Sequence, residues 1–150
     1  MPTMVRAPLV GGMKFVAETK SGHEVIMDAA PNVGGEDSAA RPAEMPLVGL
    51  AGCTGMDVVS ILRKMRQNFT RFEVEIDGLE RAEEHPKVWL ELRVIFHVEG
   101  DLNPERLTRA IDLSRSRYCS VSAGMRGVTK IHYRYVLNGE TVDLPDVVET

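Results

Sequence analysis

Cysteine is scarce in this chain: two, Cys53 and Cys119, stand 66 positions apart in 150 residues. No CxxC is present, and two distant thiols in a chain read as cytoplasmic are free, metal-bound or catalytic rather than a structural staple. The four histidines, His23, His85, His97 and His132, are scattered. None pairs with a histidine, cysteine or carboxylate at ligand spacing, and "HEVIMD" at residues 23–28 is not HExxH, so no metal or cofactor is expected. "VGG" and "VGGED" are not phosphate loops. Positive charge is also lacking. Eighteen Lys and Arg against 22 Asp and Glu leave a net charge of −4, and no basic cluster stands beside an aromatic platform, which excludes a nucleic-acid partner. The opening "MPTMVRAPLVGG" has no apolar stretch of signal-peptide length and is interrupted by Pro2 and Pro8. The longest uncharged run, Met45 to Met56, is too short to span a bilayer. A cytoplasmic protein with no membrane partner is the expectation.

What is present describes one globular domain over residues 1–150, with 43% hydrophobic and 27% charged residues. "MKFVAETK" alternates Met13, Phe15 and Ala17 against polar positions, and after Ser21-Gly22 "HEVIMD" completes a hairpin. Residues 29–42 read as a mobile Gly/Pro/Ala/Asp loop. A long helix is predicted from about Arg41 to Gln67, with Leu47, Leu50, Ala51, Thr54, Val58, Ile61, Leu62 and Met65 at helical spacing. Pro46, lacking an N–H, fits only its first turn and predicts a late start. The helix carries no charge between Glu44 and Asp57, so its first half should be enclosed on every side, with help from a second chain.

"FEVEIDGL" and "VWLELRVIFHVEG" form a second hairpin. Val88, Leu90, Leu92, Val94, Phe96 and Val98 take the inward face there, and Trp89, Glu91, Arg93 and His97 face water. Asn103 as N-cap and Pro104 at the first position start another helix. Its inner stripe is Leu107, Ala110, Ile111, Ser114 and Tyr118, with Cys119 at its C-terminal end, where the dipole disfavours a thiolate. A short helix over "SVSAGMRG", a last strand "KIHYRYVL" with Ile131, Tyr133 and Tyr135 on one face, and a loose acidic tail complete an α+β order without βαβ repeats.

Each cysteine admits two readings. A free cysteine is a small hydrophobe that is commonly buried. Yet Cys53 lies among Ala51, Gly52, Thr54 and Gly55, and Cys119 beside Ser120 and Ser122, surroundings with room and hydrogen bonds for a thiolate. "RPAEMPLVGLAGCTGMDVVSILRKMRQ" followed by "LSRSRYCSVS" resembles the OsmC/Ohr family of osmotically induced and organic-hydroperoxide-resistance proteins, nearest its YhfA-like branch.

That resemblance implies an OsmC-like fold, in which antiparallel sheets cover two long central helices in an intertwined homodimer. It implies a thiol peroxidase: Cys53 attacks an organic hydroperoxide, Cys119 resolves the sulfenic acid as a disulfide, and a dihydrolipoyl-type dithiol restores the thiols. Glu44 occupies the position of a glutamate that orients an arginine beside the reactive sulfur. The arginine that follows Gly-Gly in the peroxidase branch is Met13 here, which leaves Arg6, Lys14 or Arg41 as stand-ins. Val48, Leu50 and Met56 would supply an apolar substrate shell. The rival reading is a weakly active or non-catalytic binding homodimer with structural thiols.

Overall fold

The computed structural model describes residues 3–147. Within them the chain folds as two compact units, one up to Pro46 and one from Leu47 onward. The first unit is a four-stranded antiparallel sheet. The expected hairpin is there, as β3 (Lys14–Thr19) and β4 (Glu24–Met27), with Val16 opposite Ile26. Two short strands not foreseen, β1 (Val5–Arg6) and β2 (Leu9–Gly11), share the other edge of β3. Pro8, which has no N–H to give, falls between them. The loop after β4 is pinned by one carboxylate. Asp28 accepts from the N–H groups of Ala29, Glu36 and Ser38 and from the Ser38 hydroxyl at 2.6 Å. The Ser38 hydroxyl and these amides hold its pKa well below the usual carboxylate range.

Helix α1 spans Met45–Lys64, after a single 3-10 turn at Pro42–Glu44. The start is late, as Pro46 requires. The end comes before Gln67 because Arg66 is left-handed (φ 57°) and the Gln67 N–H returns to the Leu62 carbonyl at 2.9 Å. By length and hydropathy, Pro42–Lys64 is apolar enough to cross a membrane. One face of it is nevertheless built into a protein core: Leu50, Val58 and Leu62 are fully buried with residues of the second sheet.

That sheet runs β5 (Asn68–Arg81), β6 (Trp89–Asp101), β7 (Lys130–Leu137) and β8 (Glu140–Asp143). Leu92, Val94, Phe96 and Val98 of β6 and Ile131, Tyr133 and Tyr135 of β7 are buried, as their alternation requires. Val88, expected on the same inward face, precedes the strand and is exposed. On the opposite face of β6, Ile95 is also buried, so that face is not uniformly wet. Gly78 is there for Trp89: a Cβ on Gly78 would lie 2.4 Å from the indole. Over residues 138–143 the acidic tail is not loose, since Asn138 and Gly139, both at positive φ, turn the chain into β8 against β7, while residues 148–150 of that tail lie outside the described residues. One pair departs from the antiparallel plan. Strands β6 and β7 are parallel, joined through helix α2 (Pro104–Leu113), a π turn at Ser114–Tyr118 and helix α3 (Ser120–Met125). This is the single β-α-β passage among the described residues, and the element order had not announced it.

Candidate active site

Helix α1 presents three groups to the segment between α2 and α3. Thr54 is buried, while Cys53 and Asp57, one turn apart on the same flank, are half-buried. On the other side α2 is fixed as the sequence requires. The Asn103 side chain accepts from the Glu105 N–H at 2.8 Å, and Leu107, Ala110 and Ile111 enter the core.

The π turn that follows decides where Cys119 lies. Its closing bond runs from the Cys119 N–H to the Ser114 carbonyl at 2.8 Å, so Cys119, five residues on, comes round over Ser114. In an unbroken α-helix Tyr118 would take that place, which is why it reads as an inner residue. In the fold Tyr118 is 52% exposed and Cys119 is buried.

The outcome is one cluster. The Cys53 Sγ, the Cys119 Sγ and a carboxylate oxygen of Asp57 all lie within 4.8 Å of one another, and both cysteines are free. Asp57 is held in place: its Oδ2 accepts from the Ser114 hydroxyl at 2.9 Å, and the Ser114 and Thr54 hydroxyls lie 2.9 Å apart. These polar atoms are thereby satisfied, as buried groups must be.

The two sulfurs have unequal surroundings. Cys119 is not at a helix C-terminus but at the N-cap of α3, where its Sγ accepts from the Ser122 N–H at 3.4 Å. Burial still pushes its thiol pKa up, outweighing the Ser122 bonds that lower it. Cys53 is the more accessible of the two. Behind Cys119, burial drives the Tyr133 phenol up to about 12. The buried Arg115 guanidinium stacks on the Tyr133 ring at 5.2 Å, but it is already committed to Asp112 at 2.7 Å and to the Pro145 carbonyl at 2.7 Å.

Glu44 and the three candidate cations lie in the first unit. Glu44 is exposed, and its Oε1 accepts from the backbone N–H of Arg41 at 3.0 Å. Among the described residues it makes no salt bridge to an arginine side chain. The Arg41 guanidinium pairs with Asp37 at 2.6 Å and with the Ala39 carbonyl at 2.9 Å. Arg6 is exposed and Lys14 partly so. In the proposed substrate shell, Val48 and Met56 are exposed, whereas Leu50 belongs to the core because it falls on the stripe of Thr54, Val58 and Leu62. His97 and His132 are on strand surfaces as expected, each paired with carboxylates: Glu75 for one, Glu91 and Asp146 for the other. The residue missed by sequence reasoning is Asp57. Its signal was the four-residue step from Cys53, the spacing that puts two side chains on one helix face.

A family model described as OsmC-like protein matches residues 35–142. Protein YhfA of Escherichia coli strain K12 is 40% identical over 131 residues, covering 87% of this chain and 94% of that protein. Among solved structures, a hypothetical protein from Aquifex aeolicus VF5 is 29% identical with a TM-score of 0.78, over 92% of this chain and 98% of that one. An organic hydroperoxide resistance protein from Elizabethkingia anophelis shares the fold at a TM-score of 0.63 and 17% identity, over 93% of this chain and 99% of that one. The match over most of the chain, together with the 40% identity, places this protein in the OsmC-like family.

Proposed function

We propose that this protein is a thiol-dependent peroxidase for organic hydroperoxides, working as a homodimer. The observation that carries the reading is the approach of two free sulfurs within 4.8 Å, one accessible and one buried with a raised pKa. The Cys53 thiolate attacks the outer oxygen of ROOH. The O–O bond breaks, ROH leaves with a proton, and Cys53 becomes a sulfenic acid. The Cys119 sulfur then displaces that hydroxyl, water leaves, and a Cys53–Cys119 disulfide remains for an external dithiol to reduce. Glu44 serves the first step if a cation of the assembled dimer comes to it.

Helix α1 supports the dimer. Val48 is 60% exposed and Met56 75%, and between them on the same face a Cβ at Gly52 would meet nothing within 4 Å. An apolar stripe with a glycine at its centre suits the close approach of another helix, and leaving it in water is unfavourable for a monomer. A second copy of α1 would cover the stripe and wall the space beside Cys53 with apolar groups, which favours alkyl or aryl hydroperoxides.

The test is consumption of cumene hydroperoxide and of hydrogen peroxide with dithiothreitol or dihydrolipoamide as reductant. Cys53→Ser should abolish consumption. Cys119→Ser should permit one oxidation, trapped on Cys53 by dimedone, and impair turnover. Glu44→Ala should slow the first step. Undiminished consumption by Cys53→Ser, or no labelling of either cysteine in the parent, would end the peroxidase reading. A second reading, a binding homodimer of low activity, is favoured by one observation: the charged group beside the sulfurs in this unit is the anionic Asp57, not a guanidinium.

A further inference from the structure

The cluster that brings the two sulfurs together also contains a group that peroxide chemistry as written does not use. Asp57 projects from α1 one turn after Cys53, and its oxygen is within 4.8 Å of both sulfurs. Its carboxylate is oriented by the Ser114 hydroxyl, itself against Thr54, which leaves the other carboxylate oxygen free of that bond. Ligands of metal sites are typically held in this way by an outer hydrogen-bond partner. A cavity of about 420 Å³, lined in part by Asp57, Ser60, Leu113 and Tyr118, gives access to the carboxylate from solvent.

We infer that Cys53, Asp57 and Cys119 form a binding site for a soft or borderline divalent cation of the Zn²⁺ or Cd²⁺ type, with three protein ligands and an open fourth position. Two thiolates select such an ion over Mg²⁺ or Ca²⁺, which take oxygen ligands. The geometry is close to what is needed. With Zn–S ~2.3 Å and Zn–O ~2.1 Å, tetrahedral ligand atoms stand roughly 3.6–3.8 Å apart. From separations of at most 4.8 Å, the side chains need close by only about 1 Å to reach that spacing. Binding displaces one proton from each thiol into solvent and leaves the aspartate as it is. The Ser122 N–H that points at the Cys119 sulfur then donates to a metal thiolate.

The histidine and CxxC spacings in the sequence could not show this site, because one ligand comes from a different helix 62 positions beyond Asp57. Occupancy and disulfide formation exclude each other, since both use the same two sulfurs. The inference needs no peroxide reactivity, so it stands or falls separately from the peroxidase reading.

The experiment is an anaerobic titration of the reduced full-length protein with Co²⁺. Expected are one equivalent per chain, tetrahedral visible bands with sulfur-to-cobalt charge transfer in the near ultraviolet, two protons released per ion in weak buffer, and displacement of the colour by Zn²⁺. The charge-transfer band should vanish in the Cys53→Ser/Cys119→Ser double variant. It should vanish equally in the parent oxidised to its disulfide, a control that requires no substitution. Asp57→Asn should weaken binding at least about tenfold. Absence of the bands in the parent, their survival in the disulfide form, or unchanged affinity in Asp57→Asn would each overturn the three-ligand site, whatever the peroxide assay shows.

Discussion

The two faces of α1 are both apolar and have opposite fates. The inner face, Leu50, Thr54, Val58 and Leu62, is wholly buried, and its one hydroxyl is matched to Ser114. The outer face carries Val48, Gly52 and Met56, equally apolar, yet its large side chains are exposed. The first unit repeats the contrast: Ala17 is its only buried apolar residue among those described, while Leu9, Val10 and Met13 are exposed. A single chain therefore buries one of the helix's two apolar faces. The other apolar face is the one that the proposed dimer would cover.

Four measurements break or sharpen that contrast. The largest effect belongs to the inner face: Leu62→Ala should cost about 2–5 kcal/mol and lower the urea midpoint of the parent markedly. A mild loss there would mean that the core is not where the fold places it. Next, Val48→Glu with Met56→Glu should leave the far-ultraviolet circular dichroism unchanged but convert the proposed dimer to a monomer of 16.6 kDa in light scattering. A parent already monomeric at micromolar concentration would remove the premise.

Ser114→Ala follows, at about 1–3 kcal/mol, because it strands the Thr54 hydroxyl and takes a donor from Asp57. The smallest effect is also the most discriminating. In the monomeric double variant, Gly52→Ala should stabilise by about 0.5–1 kcal/mol, since alanine is the better helix former and nothing lies in its way. In the parent the same change should bring no gain or a loss, because in the proposed dimer the added methyl enters the helix contact. Equal gains in both would show that Gly52 is not at an interface.

A pH experiment addresses the buried side of the site. The Cys119 thiol is raised by burial, so the folded state prefers its protonated form. The associated stability is complete below the ordinary thiol pKa of ~8.5 and is lost as pH rises through the higher folded value. Alkaline titration of thiolate absorbance should show this late ionisation in the parent, and Cys119→Ser should remove it.

Much of this arrangement was legible in the sequence. Strict alternation located β6 and β7, and Asn103-Pro104 located the start of α2, because each signal is local and is enforced by burial on one side. The strand β8 was not read, since acidic composition marks the tail as loose, although the Asn138-Gly139 turn carries the local signal for it. The parallel pairing of β6 with β7 was not legible, since it depends on a long-range return of the chain. Asp57 went unnoticed because a carboxylate on a helix is normally a solvated group, and only the tertiary fold sets it against two sulfurs. Tyr118 was placed inside by a helical period that the chain abandons at Ser114.

That π turn has a consequence for anyone aligning such chains. A π turn is an α-helical turn that has absorbed one extra residue, so an ordinary turn one residue shorter would join the same two end points. A chain with a one-residue deletion between Arg115 and Tyr118 would still deliver its second cysteine to the same place over Ser114. The number of residues separating the two cysteines is therefore a poor fingerprint of their partnership. What is fixed is the distance along the helix axis, and a gap placed in this segment changes the count without moving the sulfur.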